Sequence, residues 1–140
     1  MKKFMCSILL ILVFASCSFG VKKGKVQKVD FDLTKFSSVM VYSGLYNILS
    51  NPSAYVGQVI KIKGYFDLFH DNETGKDYFG VVVMDSSACC STGLDFVLRD
   101  EYKYPKDYPE VGETITVAGK FEMYRDGDEV FCHLVDADIL

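Results

Sequence analysis

Two segments of the chain repeat one pattern. Residues 55–69 read YVGQVIKIKGYFDLF, and residues 110–124 read EVGETITVAGKFEMY. Both contain V-G-x-x-I-x-[IV]-x-G-x-F, whose period-two alternation is typical of half-buried β-strands. A glycine interrupts the apolar face of each copy, at Gly64 and Gly119, and a glycine inside a strand marks a bend or a close backbone approach. The repeat therefore predicts two long strands that bend at a glycine, as a small closed barrel requires.

Each copy of the repeat leads through a turn into a further strand. The first continues through a turn at 72–75 into a strand at 78–85, and the second through Asp126-Gly127, a strong hairpin signal. The segment GLDFVL, at 93–98, supplies a fifth strand. Three strands, a connector and a hairpin are the strand count of the OB-fold, a five-stranded Greek-key barrel. We therefore predict a mainly all-β protein with an OB-like barrel.

A short helix is predicted ahead of the barrel. In the segment YSGLYNILSNPSAY, Leu45, Ile48 and Leu49 form one apolar helical face, and Asn51-Pro52 ends the helix. We expect this helix to cover one open end of the barrel.

The chain begins with the layout of a secretory signal. Lys2 and Lys3 form a positive n-region, and an apolar run over 4–14 precedes small residues. The run is shorter than the roughly 20 residues that a membrane-spanning helix needs. Its end, VFASC, resembles the lipobox of bacterial lipoproteins, which implies cleavage and acylation at Cys17. The alternative is an ordinary signal-peptidase cut after Gly20.

The predicted organisation has three parts. A lipoprotein-type signal peptide covers 1–17, a basic tether covers 18–40, and the barrel domain covers 41–140. The tether carries lysines that favour an anionic membrane surface, namely Lys22, Lys23, Lys25 and Lys28. We expect an exported protein of the cell envelope, with membrane lipid as a partner through its acylated N-terminus. Which membrane receives the lipid stays open.

The charge of the chain restricts its other partners. Removal of residues 1–17 leaves 13 basic against 19 acidic residues, and from residue 41 onward the counts are 8 and 17. A surface this acidic repels phosphate backbones unless its few lysines cluster. We therefore expect an envelope protein or a small ligand as the partner, rather than nucleic acid.

Two motifs stand in the predicted barrel. The first is P-x-x-Y-x-G-x-x-[VI]-x-[IV]-x-G, from Pro52 to Gly64, and the second is A-C-C-x-x-G-[LI]-[DE]-F, from Ala88 to Phe96. Over roughly residues 42–138 the chain therefore resembles small exported bacterial OB-fold lipoproteins of unassigned function. The double-cysteine motif is the more specific of the two. The resemblance implies a fold and a location, but no activity.

The cysteines offer the clearest chemistry. Cys6 leaves with the signal and Cys17 is lipidated, so Cys89, Cys90 and Cys132 remain, an odd number. At least one thiol is then free, bound to a metal, or paired outside the chain.

A metal site is the first interpretation of these residues. Thiolates and imidazoles bind zinc or copper, and the candidate ligands are Cys89, Cys90, Cys132, His133 and His70. Neighbours on one strand face opposite sides, so at most one of Cys132 and His133 can join a single site.

A redox bridge is the alternative. A disulfide between adjacent residues is strained, whereas a bridge from Cys89 or Cys90 to Cys132 is relaxed if the Cα atoms lie roughly 4.4–6.8 Å apart. Such bridges are common in exported proteins. A third interpretation is two buried free cysteines that act as small hydrophobic residues.

No catalytic residue is predicted. The chain has two histidines and no sequence signature of a nucleophile elbow, a P-loop or a dinucleotide-binding loop. We therefore expect a non-catalytic binding module rather than an enzyme. A further alternative is a barrel that binds an oligosaccharide or a nucleic acid through stacking aromatic residues, with the candidates Tyr65, Tyr78, Tyr102 and Tyr104.

Overall fold

The structure is a computed structural model that describes residues 28–140. The predicted signal peptide and the lipidation site at Cys17 lie outside this range. The strands are β1 Phe31–Asp32, β2 Val59–His70, β3 Asp77–Met84, β4 Ser91–Leu98, β5 Thr114–Asp126 and β6 Glu129–Ile139. Helix α1 is Ser38–Ser50, and two 3-10 helices span Leu33–Lys35 and Pro52–Ala54.

Five of these strands close a barrel. β2 pairs antiparallel with β3 and with β5, β3 with β4, and β5 with β6, while β4 and β6 are parallel. The pairing therefore runs β2–β3–β4–β6–β5 and returns to β2. This order confirms the predicted mainly all-β barrel fold, including both hairpins. The sixth strand, β1, was not predicted and pairs in parallel with the start of β2.

The two copies of the repeat pair with each other. They form the antiparallel β2–β5 ladder, in which each glycine faces an isoleucine of the other copy. The central register pairs are Ile60 with Gly119, Ile62 with Val117, and Gly64 with Ile115. Gly57 N–H donates to Phe121 C=O, and the equivalent Gly112 N–H donates to Phe66 C=O, both at 2.8 Å. The repeated sequence thus builds a local two-fold arrangement across the barrel wall.

The ordered domain begins earlier than the predicted boundary at residue 40. β1, the first 3-10 helix and the start of α1 all lie within the stretch expected to be a basic tether. Leu33 is fully buried in the core, and Asp30 N–H donates to Val59 C=O at 2.9 Å. A strand of two residues is too short to produce a readable alternation, which explains why the sequence did not reveal it.

Helix α1 covers the barrel core. Its buried side chains, Val41, Leu45 and Ile48, belong to the same apolar cluster as the inward-facing residues of β2 to β6. The helix ends at Ser50, ahead of Pro52 as predicted. Within residues 28–140, none of the helices is long and apolar enough to cross a membrane.

Candidate metal centre

The double cysteine lies in the tight connection between β3 and β4, at residues 85–90. Asp85 follows β3 directly, and Cys90 directly precedes β4. The backbone closes the loop because Asp85 N–H donates to Cys90 C=O at 2.9 Å and Ala88 N–H donates to Asp85 C=O at 3.1 Å. Ala88 has a φ of +53°, in the left-handed region that side chains other than glycine adopt at a cost. This turn folds both cysteines back over Asp85.

The Asp85 carboxylate is the centre of the loop. It accepts hydrogen bonds from Cys89 N–H at 3.1 Å, Cys90 N–H at 3.4 Å, Ser87 Oγ at 2.9 Å and Cys89 Sγ at 3.4 Å. Burial raises the pKa of the Asp85 carboxyl, but these hydrogen bonds outweigh it and hold the pKa below its ordinary value. The loop therefore contains a fixed negative charge at neutral pH.

The two sulfur atoms lie beside this charge. Cys89 Sγ and Cys90 Sγ are 3.6 Å apart, and one ligand atom from each of Asp85, Cys89 and Cys90 lies within 4.8 Å of the other two. Zinc forms bonds of about 2.3 Å to sulfur and about 2.1 Å to oxygen. Around a tetrahedral ion, two sulfur ligands are then about 3.8 Å apart, and a sulfur and an oxygen ligand are about 3.6 Å apart. The loop has similar spacings, with 3.6 Å between the two sulfur atoms and 3.4 Å between Cys89 Sγ and Asp85 Oδ2.

The surroundings of the loop disfavour a free thiolate at Cys90. The hydrogen bond from Cys89 and then the charge of Asp85 raise the pKa of the Cys90 thiol. Tyr42 of α1 faces the same loop, and burial followed by the charges of Cys90 and Asp85 raises the pKa of its hydroxyl. A cation is therefore the species that this loop would stabilise.

Cys132 and His133 do not join this group. His133 is in register with Asp95 on the parallel strand β4, and Asp95 is five residues after Cys90, or ~16 Å along a strand. That exceeds the Cα separation a disulfide can span, so the predicted bridge from Cys89 or Cys90 to Cys132 does not fit this arrangement. All three thiols are free in the part of the chain that the structure describes.

The cysteines also differ in burial. Cys132 is half-buried against the core, and this burial raises the pKa of its thiol. It therefore behaves as the small hydrophobic residue of the third interpretation. Cys89 and Cys90 are exposed, so that interpretation is wrong for the pair.

His70 lies at the other end of the barrel wall. Its Nδ1 is 2.6 Å from Asp77 Oδ1, and Asp77 begins β3 whereas Asp85 follows it. About eight residues of strand, or ~26 Å, separate the two positions. His70 therefore contributes nothing to the cysteine loop.

Asp85, the carboxylate of the site, was not among the ligands predicted from the sequence. Its signal is the segment DSSACC, in which an aspartate ends a strand and small turn-forming residues follow. Aspartate commonly accepts hydrogen bonds from backbone groups shortly after it in such turns. Histidine and cysteine do not mark such a carboxylate, and an aspartate in a turn is by itself no sign of a metal ligand.

The four candidate tyrosines do not form one surface. Tyr65 lines a groove beside Asp85 and Ala88, whereas Tyr104 packs on Phe79 with ring centroids 5.1 Å apart. Tyr102 is buried, and its hydroxyl donates to Asp138 at 3.4 Å. Tyr102 is therefore a core residue and not part of a binding surface.

The chain has little similarity to known proteins by sequence, and it is similar to a solved structure at low identity. No protein-family model matches the chain, and no curated protein matches it. Among solved structures, a lipoprotein of Klebsiella pneumoniae subsp. pneumoniae, to which nucleic-acid binding is attributed, superposes with a TM-score of 0.46 and 20% identity. The match covers 69% of this chain and 84% of that one. Similarity at this level carries no inference about what this chain binds.

Proposed function

We propose that this protein is a lipid-anchored, non-catalytic binding module of the bacterial cell envelope that takes up a thiophilic metal ion. Asp85, Cys89 and Cys90 are the ligands, and their mutual spacing within 4.8 Å is the observation that carries the proposal. A set of two thiolates and one carboxylate suits zinc better than copper(I), which prefers sulfur ligands alone.

The loop supplies three ligand atoms, which leaves one tetrahedral position for water or for a ligand from a partner. Structural zinc sites are closed by four protein ligands. An open and exposed site suits an ion that is taken up and released. The signal-like N-terminal segment and the lipobox-like sequence at Cys17 support the proposed location. The lysines after Cys17 would hold the domain against an anionic membrane surface.

A thiol-redox function is the second candidate, since the sulfur atoms of the pair are only 3.6 Å apart. Reactive cysteines, however, lie in electropositive surroundings that lower the pKa of the thiol. Here Asp85 and Cys89 raise the pKa of Cys90. This electrostatic environment favours a bound cation over a nucleophilic thiolate.

Metal titration of residues 18–140 tests the proposal. We expect one zinc ion per chain by equilibrium dialysis, and thiolate-to-metal absorption when cobalt(II) replaces zinc. Cys89→Ser and Cys90→Ser should abolish both signals, and Asp85→Asn should weaken binding at least about tenfold, as losses of ligand-shell groups commonly do. Cys132→Ser is the matched control and should bind as the wild type does.

Two results would overturn the metal site. One is a wild-type protein that binds no zinc when its thiols are reduced. The other is binding that survives Cys89→Ser and Cys90→Ser. A mass that shows a Cys89–Cys90 disulfide in protein purified from an oxidising compartment, together with absent metal, would favour the redox function instead.

A further inference from the structure

A second cavity lies at the other end of the barrel from the cysteine loop. It has a volume of about 470 Å³ and is formed by the tips of the β2–β3 and β5–β6 hairpins together with β4. Ligand pockets commonly range from about 300 to 1,000 Å³. The cavity is therefore large enough for a small organic molecule.

Aromatic rings form two walls of this cavity. Phe69 and Tyr78 are register partners on β2 and β3, with ring centroids 6.3 Å apart. Tyr124 and Phe131 are register partners on β5 and β6, with stacked rings 5.6 Å apart. All four rings line the cavity.

A hydrogen bond joins the two walls. Tyr78 on β3 donates through its hydroxyl to Asp126 Oδ2 at the end of β5, at 3.2 Å. This hydrogen bond connects the two hairpins across the cavity. Phe69 keeps 68% of its surface exposed and Phe131 keeps 38%, which leaves aromatic surface available to an occupant.

The charged residues that line the cavity are all acidic, namely Asp71, Asp95, Asp126 and Glu129. Two of these carboxylates have partners of their own: Asp71 accepts hydrogen bonds within its turn, and Asp126 Oδ2 lies 3.7 Å from Lys76 Nζ. Among residues 28–140, none of those that line the cavity is basic. The field inside it therefore favours a positive charge.

Asp95 is the half-buried acidic residue of this lining that has no partner among the described residues, whereas Glu129 is exposed to solvent. It lies on β4, in register with Gly80, which has no side chain to cover it. Within residues 28–140 no hydrogen bond or ion pair reaches its half-buried carboxylate, and burial alone raises its pKa. An unpaired charge at such a position costs stability, and a cation in the cavity would offset that cost.

We propose that this pocket binds a small organic ammonium ion, whose charge is held by Asp95 and by the faces of Tyr124 and Phe131. Aromatic faces attract an ammonium group within about 6 Å of the ring centroid, while the carboxylate neutralises its charge. A bare inorganic cation would gain little from the aromatic walls. The ligand is a free amine or the lysine side chain of a protein.

The pocket is independent of the proposed metal site. It lies beside the start of β3, whereas Asp85 follows the end of that strand. Loss of the cysteines should therefore leave amine binding unchanged. Zinc binding and amine binding can therefore be tested separately.

Calorimetric titration of residues 18–140 with putrescine tests the inference. Butane-1,4-diol serves as the neutral control of similar length, and a peptide with an acetylated N-terminus and a lysine whose side-chain ammonium is free represents the protein-borne source. We expect saturable binding of one of the two ammonium ligands and none of the diol. Binding of putrescine would indicate a free amine as the ligand, and binding of the peptide would indicate a lysine side chain of a protein. Because the chain has no tryptophan, tyrosine fluorescence is a second readout for Tyr78 and Tyr124.

Variants assign the binding to the pocket. Asp95→Asn and Phe131→Leu should each weaken binding at least about tenfold, while Asp128→Asn, at the same hairpin tip but outside the cavity lining, should bind as the wild type does. Cys89→Ser should also bind normally. If Asp95→Asn does not fold, the affinity of Phe131→Leu decides whether the amine binds in this pocket. Equal binding of diol and diamine, binding of neither ammonium ligand, or wild-type affinity in both pocket variants would overturn the inference.

Discussion

Asp95 and Asp138 are two acidic residues with opposite surroundings. Asp138 is 2% exposed. It forms an ion pair with Arg99, whose Nη2 lies 2.8 Å from Asp138 Oδ2, and it accepts a hydrogen bond from the Tyr102 hydroxyl. Burial raises its pKa, and Arg99 and Tyr102 oppose that rise. Asp95 is half-buried and has burial as the single cause of its raised pKa. One carboxylate is therefore compensated within the fold, whereas the other has no compensating hydrogen bond or ion pair among the described residues.

Removal of the Asp95 charge should stabilise the protein at neutral pH. A carboxyl whose pKa is higher in the folded state than in the unfolded state reduces stability as pH rises through that interval. Asp95→Asn removes this loss, so its melting temperature at pH 7 should exceed that of the wild type. The difference should disappear below about pH 3, where the aspartate is protonated in both states.

Differential scanning calorimetry from pH 3 to pH 7 measures this difference. Asp128→Asn, which removes an exposed charge from the next hairpin, is the control and should change the melting temperature little at either pH. A lower melting temperature for Asp95→Asn at pH 7 would show that the carboxylate is compensated in the fold after all.

Among the elements of the fold, the β2–β5 ladder depends most visibly on its glycines. Gly64 and Gly119 occupy equivalent positions in the two copies of the repeat, each opposite an isoleucine. A Cβ atom at Gly119 would stand 2.9 Å from Ala137 Cβ and 3.0 Å from Leu134 Cβ on β6. The glycine of the repeat therefore permits the close approach of β6, which is one of the two roles that a glycine within a strand can have.

Gly119→Ala should lower the free energy of unfolding by about 1–3 kcal/mol, the usual cost of an added methyl group in a packed site. Urea denaturation measures the loss. Gly80→Ala is the control, because the nearest atom to its Cβ, Asp95 Oδ1, would be 3.6 Å away, an ordinary contact. An equal effect of the two substitutions would show that crowding at Gly119 is relieved by movement of β6.

At the scale of the whole molecule, residues 31–40 are part of the folded domain. Leu33 is fully buried, and a Cβ at Gly44 in α1 would stand only 2.8 Å from Leu33 Cδ2. The absence of a side chain at Gly44 therefore gives Leu33 its place beneath the helix.

Leu33→Ala should cost about 2–5 kcal/mol of unfolding free energy, as a buried leucine commonly does. Val39→Ala is the control, because Val39 is in the same segment but 51% exposed, and it should change stability by less than about 1 kcal/mol. Both are measured by urea denaturation. Similar small losses for the two variants would place the start of the domain after residue 33.

The sequence alone predicted the five barrel strands and both hairpins, because period-two alternation, Asp126-Gly127 and the interrupting glycines are local signals. It also named Cys89 and Cys90 as candidate ligands. The positive φ of Ala88 and the return of the chain over Asp85 were not readable, since they depend on how β3 and β4 pair.

Only the tertiary structure decided which distant residues meet. The parallel β4–β6 register places His133 beside Asp95 and keeps Cys132 away from the cysteine loop. Barrel closure brings the aromatic pairs of two separate hairpins around one acidic cavity. Contacts of this kind follow from strand register and closure, which act over the whole chain, and a shift of one residue would turn each side chain to the other face.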